Sequence, residues 1–519
     1  MKVVTVLKRK LFLSACIVLI ACQASFSQTG DFAVKAFHLD LRIQVMKMHA
    51  LKNLALQLHG YGINTLIMEY EGTYPYQKHP LIPNKYAYTK QEIISFLHFC
   101  DSLHLDVIPL QQSFGHVEYI LRNYRYAALR EDDKDLSQVC PLEVKKDSAL
   151  FTDLFTELAE AHTSKYIHIG CDETHLLGHC PKCSKKVAEE GVSKLYIDYV
   201  KMLCNIVIRL GKRPVLWADI ALKYPDAIKS LPRETVFVDW NYGWDVNRFG
   251  NQQKLLQSGF EIWGAPSIRS YPDDYFLTQW EKHFNNIKTF IPLCRQFGYK
   301  GMVLTSWSTS GQYSYLNESE DELTQLYAQR HVYPVTAFNL LIEAYAKSLS
   351  QQTPMDIKGF IMQAVPQRYG LDKQQTLNFW QALTTPALQV ENGIVKSDFP
   401  RTLAEITHDA ENAASVFKKL QPSKNQVEFE HYRLMADIRV QYLHYLLIEQ
   451  WANSAGFTQK DVPAALRQLK VLLANASQLD KRFIELNKDS YYITELKAEN
   501  EVRNKRLQIL YDKLNRSRF

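Results

Sequence analysis

The sequence has very little that could cross a membrane or grip a polyanion. Its one continuous apolar stretch, Leu11–Ile20, is too short to span a bilayer as a helix, so no transmembrane span is expected. Charge of one sign is nearly absent as a surplus: 61 Lys and Arg face 55 Asp and Glu, a net charge of +6 with no basic block, and nucleic acid is not an expected partner. No repeat is strong enough for a solenoid. No glycine-rich turn follows the first predicted strand, which leads instead into Asp40-Leu-Arg42. That absence argues against a doubly wound nucleotide-binding sheet.

What remains is a globular composition, 46% hydrophobic over 519 residues, with length for two or three domains. The first residues stand apart. Lys2, Lys8, Arg9 and Lys10 precede the apolar run, and small residues follow it, the pattern of a signal peptide over residues 1–27. Cleavage after Ser27 competes with Leu19-Ile20-Ala21-Cys22, a lipobox-like sequence in which Cys22 carries a lipid anchor. Both imply an exported chain, periplasmic or secreted. Of nine cysteines, Cys16 and Cys22 fall in this leader, so 9 − 2 = 7 remain, an odd number. Cys180-Pro-Lys-Cys183 lacks a second Cys-x-x-Cys to complete a finger. In an oxidising compartment it reads as a local disulfide or structural pair, with a zinc site (using Cys171, His175 or His179) or a redox role as alternatives.

Residues 35–345 alternate short apolar runs with helical patterns. Eight strands are predicted, at Ala36–Leu41, Thr65–Glu69, Asp106–Leu110, Tyr166–Ile169, Pro214–Trp217, Val236–Trp240, Phe260–Trp263 and Gly301–Ser306. Helical spacing recurs between them, as in Leu51–His59, Lys90–Leu103, Ala149–His162 and Ser193–Leu210. Eight β/α units predict an α/β fold, a (β/α)8 TIM barrel. Residues 346–519 lose the alternation and read as an all-helical C-terminal domain with no chemistry of its own. There Tyr432, Met435, Ile438, Tyr442 and Tyr445 form a core strip, and Ile394–Arg401 reads as a loop.

Polar and aromatic residues collect where the predicted strands end. The fourth strand runs through Gly170 into adjacent acids, Asp172 and Glu173. Neighbouring strand residues face opposite ways, so both acids reach one site only if the chain bends there, which Gly170 permits. Asp40 and Arg42, Glu69 and Glu71, and Gln111 to His116 end the first three strands. Trp217, Trp240, Trp263 and Trp307 end the last four. Sugar rings stack on such walls through their C–H faces, while their hydroxyls need acids, Arg and His at the rim. A carbohydrate site is expected.

His168-Ile-Gly-Cys-Asp172-Glu173 resembles the His-x-Gly-x-Asp-Glu motif of family 20 glycoside hydrolases, the β-N-acetylhexosaminidases. Their hexosaminidase D branch has segments similar to His38-Leu-Asp-Leu-Arg42, Glu69-Tyr-Glu, Pro75-Tyr76, Gln111, Phe114-Gly-His116 and Leu129-Arg-Glu131. The resemblance covers roughly residues 36–310. It implies exo-hydrolysis of terminal β-linked GlcNAc or GalNAc on a glycan or amino-sugar substrate, with no cofactor and no metal. By the same resemblance Glu173 is the general acid and base, with a raised pKa, and Asp172 stays ionised and orients the substrate's acetamide. Trp217, Trp240, Trp263 and Trp307 enclose the sugar. Arg42 takes its outer hydroxyls, His116 and His168 support the acids, and Tyr242 donates to the acetamide oxygen. Two features depart from the better-known branches. Arg42 follows Asp40 by two positions instead of three, and Ser308 to Gly311 stand where a Glu would follow the last tryptophan. The resemblance therefore does not choose between GlcNAc and GalNAc, and it sets no oligomeric state. A non-catalytic sugar-binding barrel and a zinc-dependent barrel hydrolase are the alternatives. The intact acid pair argues against the first, and a metal assay separates the second.

Intact-mass measurement of the chain recovered from its native host should give a protein starting at Gln28, or at a lipidated Cys22. A cytoplasmic protein retaining Met1 would refute export.

Overall fold

The computed structural model describes residues 31–309 and 331–516. The leader, Cys22, Ser310 and Gly311 lie outside the described residues. Strands β1 (Val34–Asp40), β2 (Thr65–Glu69), β3 (Asp106–Leu110), β4 (Tyr166–His168), β5 (Arg213–Trp217), β6 (Val236–Trp240), β7 (Glu261–Ala265) and β9 (Gly301–Ser306) pair in order, all parallel. Pairing of β9 with β1 closes the barrel. A three-residue strand, β8 (Ser267–Arg269), continues beyond β7 and lies on the far half of β9. The fold is the (β/α)8 barrel that the alternation predicts.

Alternation along each strand sorts the side chains into two cores. One set points inward: Ala36, Ile67, Ile108, Tyr166, Val215, Val236, Trp263 and Val303 belong to a small cluster that plugs the barrel. Two residues further along the same strands come His38, Glu69, His168 and Trp217, so the plug changes from apolar to polar and aromatic toward the strand C-termini. The other set faces the helices. In Met48–Gly60 the residues Leu51, Leu54, Ala55 and Leu58, at helical spacing, are buried on the barrel wall. Lys90–Ser102 starts at a capping box, in which Thr89 and Glu92 satisfy each other's backbone N–H groups.

The helix Asn339–Leu349 runs across residue 346 and still serves the barrel, since the Tyr345 hydroxyl donates to Ala36 O at 3.1 Å. Beyond it lie the helices Ile357–Tyr369, Lys373–Leu383, Leu403–Lys419, Gln426–Ala452, Val462–Asn487 and Ile493–Arg516. Tyr369, Phe379, Phe417, Phe429 and Tyr432 form one aromatic cluster among them. Of the predicted core strip, Tyr432, Ile438 and Tyr445 are buried, and Met435 and Tyr442 are partly so. Tyr442 stacks on Phe276 of a barrel loop at 4.0 Å. Within the expected loop, Ile394–Val395 pairs with Val390–Glu391 as a short hairpin.

The last helix is sewn to the loop after β1. Val45 N–H donates to both Glu495 oxygens, at 3.0 and 3.1 Å. Gln44 donates to Glu499 at 3.3 Å and accepts from Arg269 at 2.8 Å. Burial pushes both carboxyls, Glu495 and Glu499, up to about 8 from an ordinary 4.5. The folded chain thus holds these two protons more tightly than the unfolded chain. Their contribution to stability is complete below about pH 4.5 and is lost as pH rises through about 8. Glu495→Gln with Glu499→Gln should flatten the fall in melting temperature across that window. An unchanged slope would show that the two acids do not carry it.

Candidate active site

β4 ends at His168, and the chain then turns sharply. Gly170, Cys171 and Glu173 have φ of +71°, +72° and +46°, in the left-handed region. Only glycine enters it freely, and each other residue there costs about 1–3 kcal/mol. The turn brings adjacent acids to one point: Asp172 and Glu173 lie 3.6 and 3.2 Å from His116 Nε2. His116 itself has φ of +53°. Two close approaches fix the arrangement. A Cβ at Gly170 would run into the Gln112 amide, and one at Gly115 would run into the Asp172 carbonyl oxygen. The loops after β3 and β4 therefore touch main chain to main chain.

The two acids differ in environment. The Asp172 side chain is 9% exposed and that of Glu173 42%. Burial alone would raise the Glu173 carboxyl, but the His116 imidazolium outweighs it and holds Glu173 down at about 2. Burial likewise would lower His116, yet Asp172 and Glu173 lift it to about 10. Burial pushes Asp172 up to about 7, with His116 opposing and Asp219 and Glu173 adding to the rise. The raised Glu173 pKa that the resemblance implies is thus corrected. In the free site the proton sits on His116, because the charge and hydrogen bond of that ion pair outweigh burial at Glu173.

The walls are aromatic, with one exception to expectation. Trp217 forms the floor, packed against His168 at 4.5 Å, Trp307 at 5.7 Å and His38 at 5.9 Å between ring centres. Trp307 lies under the Arg42 guanidinium at 5.3 Å and donates its indole N–H to the Tyr242 hydroxyl at 2.9 Å. Tyr242 in turn packs beside Trp240 at 5.2 Å. Arg42 forms a fork with Asp40, at 3.1 and 3.0 Å. Trp263 is not at the mouth. It pairs with Val238 across β6 and with Gly301, the first residue of β9, while Ala265 stands level with Trp240. Its ring meets Tyr166 at the barrel floor and its N–H reaches Glu261 at 2.9 Å. The strand continues two residues past the tryptophan, which the expectation of a strand end at Trp263 did not allow for.

Three residues to which sequence reasoning had given no role join the site. Asp219, two positions after Trp217, accepts the Glu173 N–H at 3.2 Å and the Trp240 indole N–H at 3.4 Å. Its position just past a strand end was a usable signal. His38 and Glu69 form a fully buried pair at 2.8 Å. Several buried polar atoms here have no hydrogen-bond partner among the described residues: Asp172 Oδ1, His168 Nε2 and Trp217 Nε1. His168 Nδ1 accepts the Gly170 N–H at 3.1 Å, and burial drives the ring well below its ordinary pKa, so Nε2 carries a proton free to donate. Such atoms are costly unless a ligand or water meets them.

The catalytic-domain profile of glycosyl hydrolase family 20 matches residues 61–332. Hexosaminidase D of Homo sapiens is 28% identical over 309 residues, covering 56% of this chain and 63% of that protein. The chain thus spans a little under two thirds of the human relative's length. Hexosaminidase D of Bos taurus is 28% identical over 302 residues, 55% of this chain and 87% of that protein. Among solved structures, a β-N-acetylhexosaminidase from Bacteroides fragilis superposes with a TM-score of 0.48 at 14% identity, over 63% of this chain and 68% of that one.

Gly170→Ala should destabilise the protein by about 2–5 kcal/mol, adding the left-handed penalty to an overpacking cost. Chemical denaturation measures this. A loss within about 0.5 kcal/mol, the range of an ordinary surface substitution, would mean that the turn tolerates a side chain.

Proposed function

This chain belongs to glycosyl hydrolase family 20, and on that footing we propose that it is an exo-acting, retaining β-N-acetylhexosaminidase that removes terminal β-linked GlcNAc or GalNAc. The observation that carries the reading is the adjacent pair Asp172 and Glu173, one buried and one open to solvent, under a single histidine. Most glycosidases set two carboxylates on opposite sides of the scissile bond. Neighbouring acids do not span a sugar, so the nucleophile in this reading is the substrate's own 2-acetamido oxygen. It attacks C1 while Glu173 passes a proton to the departing oxygen, and an oxazolinium ion forms. Water, deprotonated by Glu173, then opens that ion with net retention.

Asp172 suits the inner role. Its unpartnered Oδ1 is available to accept the acetamide N–H, and its charge stabilises the oxazolinium. Glu173, more exposed, sits where the leaving group departs and water arrives. In this scheme the proton comes from His116, which holds it in the free site 3.2 Å away, and reaches the departing oxygen by way of Glu173. Trp240 and Trp307, both partly exposed, offer apolar faces to the ring, while Trp217 is fully buried beneath them and supports the floor. Tyr242 is oriented by Trp307 for the acetamide oxygen, and Arg42 is held by Asp40 for the outer hydroxyls. Export, motivated by Lys8–Ile20, would put the enzyme in contact with extracytoplasmic glycans.

A panel of aryl β-glycosides tests the proposal. N-acetylglucosaminides or N-acetylgalactosaminides should be cleaved with retention, and plain glucosides and galactosides should be nearly inert. Asp172→Asn should lower the rate about 10²–10³-fold, the value of one transition-state charge interaction. Glu173→Gln should fail chiefly on poor leaving groups, which need the proton. Inversion, or equal turnover of β-glucosides, would sink the mechanism.

A further inference from the structure

A short way past Glu173 the chain enters a second cluster that this reaction does not use. The loop after β3 doubles back, and an isolated antiparallel bridge pairs Arg130 with Val139. The bridge sets Glu131 beside Cys140: Glu131 N–H donates to Gln138 O at 3.2 Å, and Cys140 N–H to Leu129 O at 2.7 Å. Facing them, the helix Pro181–Glu190 begins with Cys180 at its N-cap and Cys183 inside the first turn. Cys140 Sγ lies 3.7 Å from Cys180 Sγ and 3.6 Å from Cys183 Sγ, and Cys183 Sγ lies 3.3 Å from Glu131 Oε2. All four potential ligand atoms fall within 4.8 Å of one another.

We propose that Glu131, Cys140, Cys180 and Cys183 form a tetrahedral structural site for a zinc ion, which clamps the loop bearing Asp172 and Glu173 to the loop bearing His116.

The distances favour a metal over a sulfur–sulfur bond. Zinc–sulfur bonds of about 2.3 Å at a tetrahedral angle put sulfurs about 3.8 Å apart, and a zinc–oxygen bond of about 2.0 Å puts oxygen about 3.5 Å from sulfur. The edges of 3.7, 3.6 and 3.3 Å lie close to those values, and the remaining ones fall within 4.8 Å. A disulfide needs about 2.05 Å, and no two of the seven cysteines among the described residues are joined. Three of the four donors are buried, Glu131, Cys140 and Cys183 being each at most 3% exposed, and Cys180 is partly exposed. Four protein ligands with no open position make a structural site and not a catalytic one. Outer contacts orient the ligands as such sites require. Cys180 N–H donates to Glu131 Oε1 at 2.8 Å, which turns Oε2 toward the sulfurs, and Cys183 N–H donates to Cys180 Sγ at 3.4 Å. Glu131 makes no ion pair with a basic side chain among the described residues, so a cation is the missing counter-charge. The ligands differ from those that Cys180 and Cys183 alone bring to mind. Cys171 turns its sulfur to Ile169 O at 3.5 Å, and His179 pairs with Asp132 at 2.8 Å. The other two ligands come from the preceding loop. A parallel tie, Leu176 N–H to Gln138 Oε1 at 2.9 Å, joins the same two loops.

Metal content decides the matter independently of activity. Full-length protein, purified without chelator and kept reduced, should carry one zinc ion per chain by inductively coupled plasma mass spectrometry. Cobalt(II) exchanged into it should give the strong thiolate-to-metal absorption and visible bands of a tetrahedral centre. Cys140→Ser with Cys183→Ser should lose the metal and melt lower, while Cys100→Ser, a buried thiol elsewhere, should keep it. If the double variant does not fold, alkylation of the wild-type protein gives the answer: Cys180, partly exposed, should react only after a chelator is added. Failure of the reduced protein to retain zinc supplied anaerobically would overturn the proposal. So would a disulfide linking two of the three cysteines, zinc retained by the folded double variant, or chelator-independent alkylation of Cys180.

Discussion

Everything chemical in this molecule depends on two stretches of backbone lying in direct contact. Gly115 rests against the Asp172 carbonyl with no room for a side chain, and Gly170 rests against Gln112 in the same way. The contact lets His116, from one loop, meet two acids from the next within 3.6 Å. The consequences are electrostatic. A partly buried histidine with two carboxylates at that range is driven toward its cationic form, and in turn it opposes the rise that burial imposes on each carboxyl. Asp219, itself held by the Trp240 indole N–H, then braces the Glu173 backbone from the following strands. The polarity of the site is thus a product of how tightly the loops close, and each loop bends through left-handed positions to do it.

The barrel below is the rigid part of this arrangement. Its inward-facing residues change from Ala36, Ile67 and Val303 to His38, Glu69 and Trp307 within two or four positions along a strand. A single alternation therefore supplies both the plug and the binding floor. The site rests on strand ends whose register is set by continuous pairing from β1 around to β9, and the loops after β3 and β4 bring His116 and the two acids in above them.

Much of this could be read directly from the sequence. The strands at 65–69, 106–110, 236–240 and 301–306 are where short apolar runs bounded by polar residues put them. The bend at Gly170 is where two adjacent acids demanded one. What escaped were properties that depend on pairing between distant segments. Trp263 looked like its three counterparts, but its height in the barrel is set by its neighbours Val238 and Gly301, and it belongs to the floor. Glu173 was expected to hold its own proton, and a histidine from another loop takes it. Asp219 reaches Glu173 only after β5 is laid beside β4. The helical region was legible as helices, yet the seam that joins it to the barrel, through Gln44, Glu495 and Glu499, left no local pattern.

That seam links residues 450 positions apart, Val45 to Glu495. During synthesis the first βα loop waits for 450 further residues before its hydrogen bonds can form. Closure of β1 on β9, from Val34 to Gly301, waits for a shorter stretch of chain that is still long. Loops this long are costly to close and slow to search, so the early barrel must spend much of translation with one edge open. Unpaired strand edges invite association with other chains. For such a protein the time between emergence and completion, and the factors that shield an incomplete sheet, bear on yield alongside final stability.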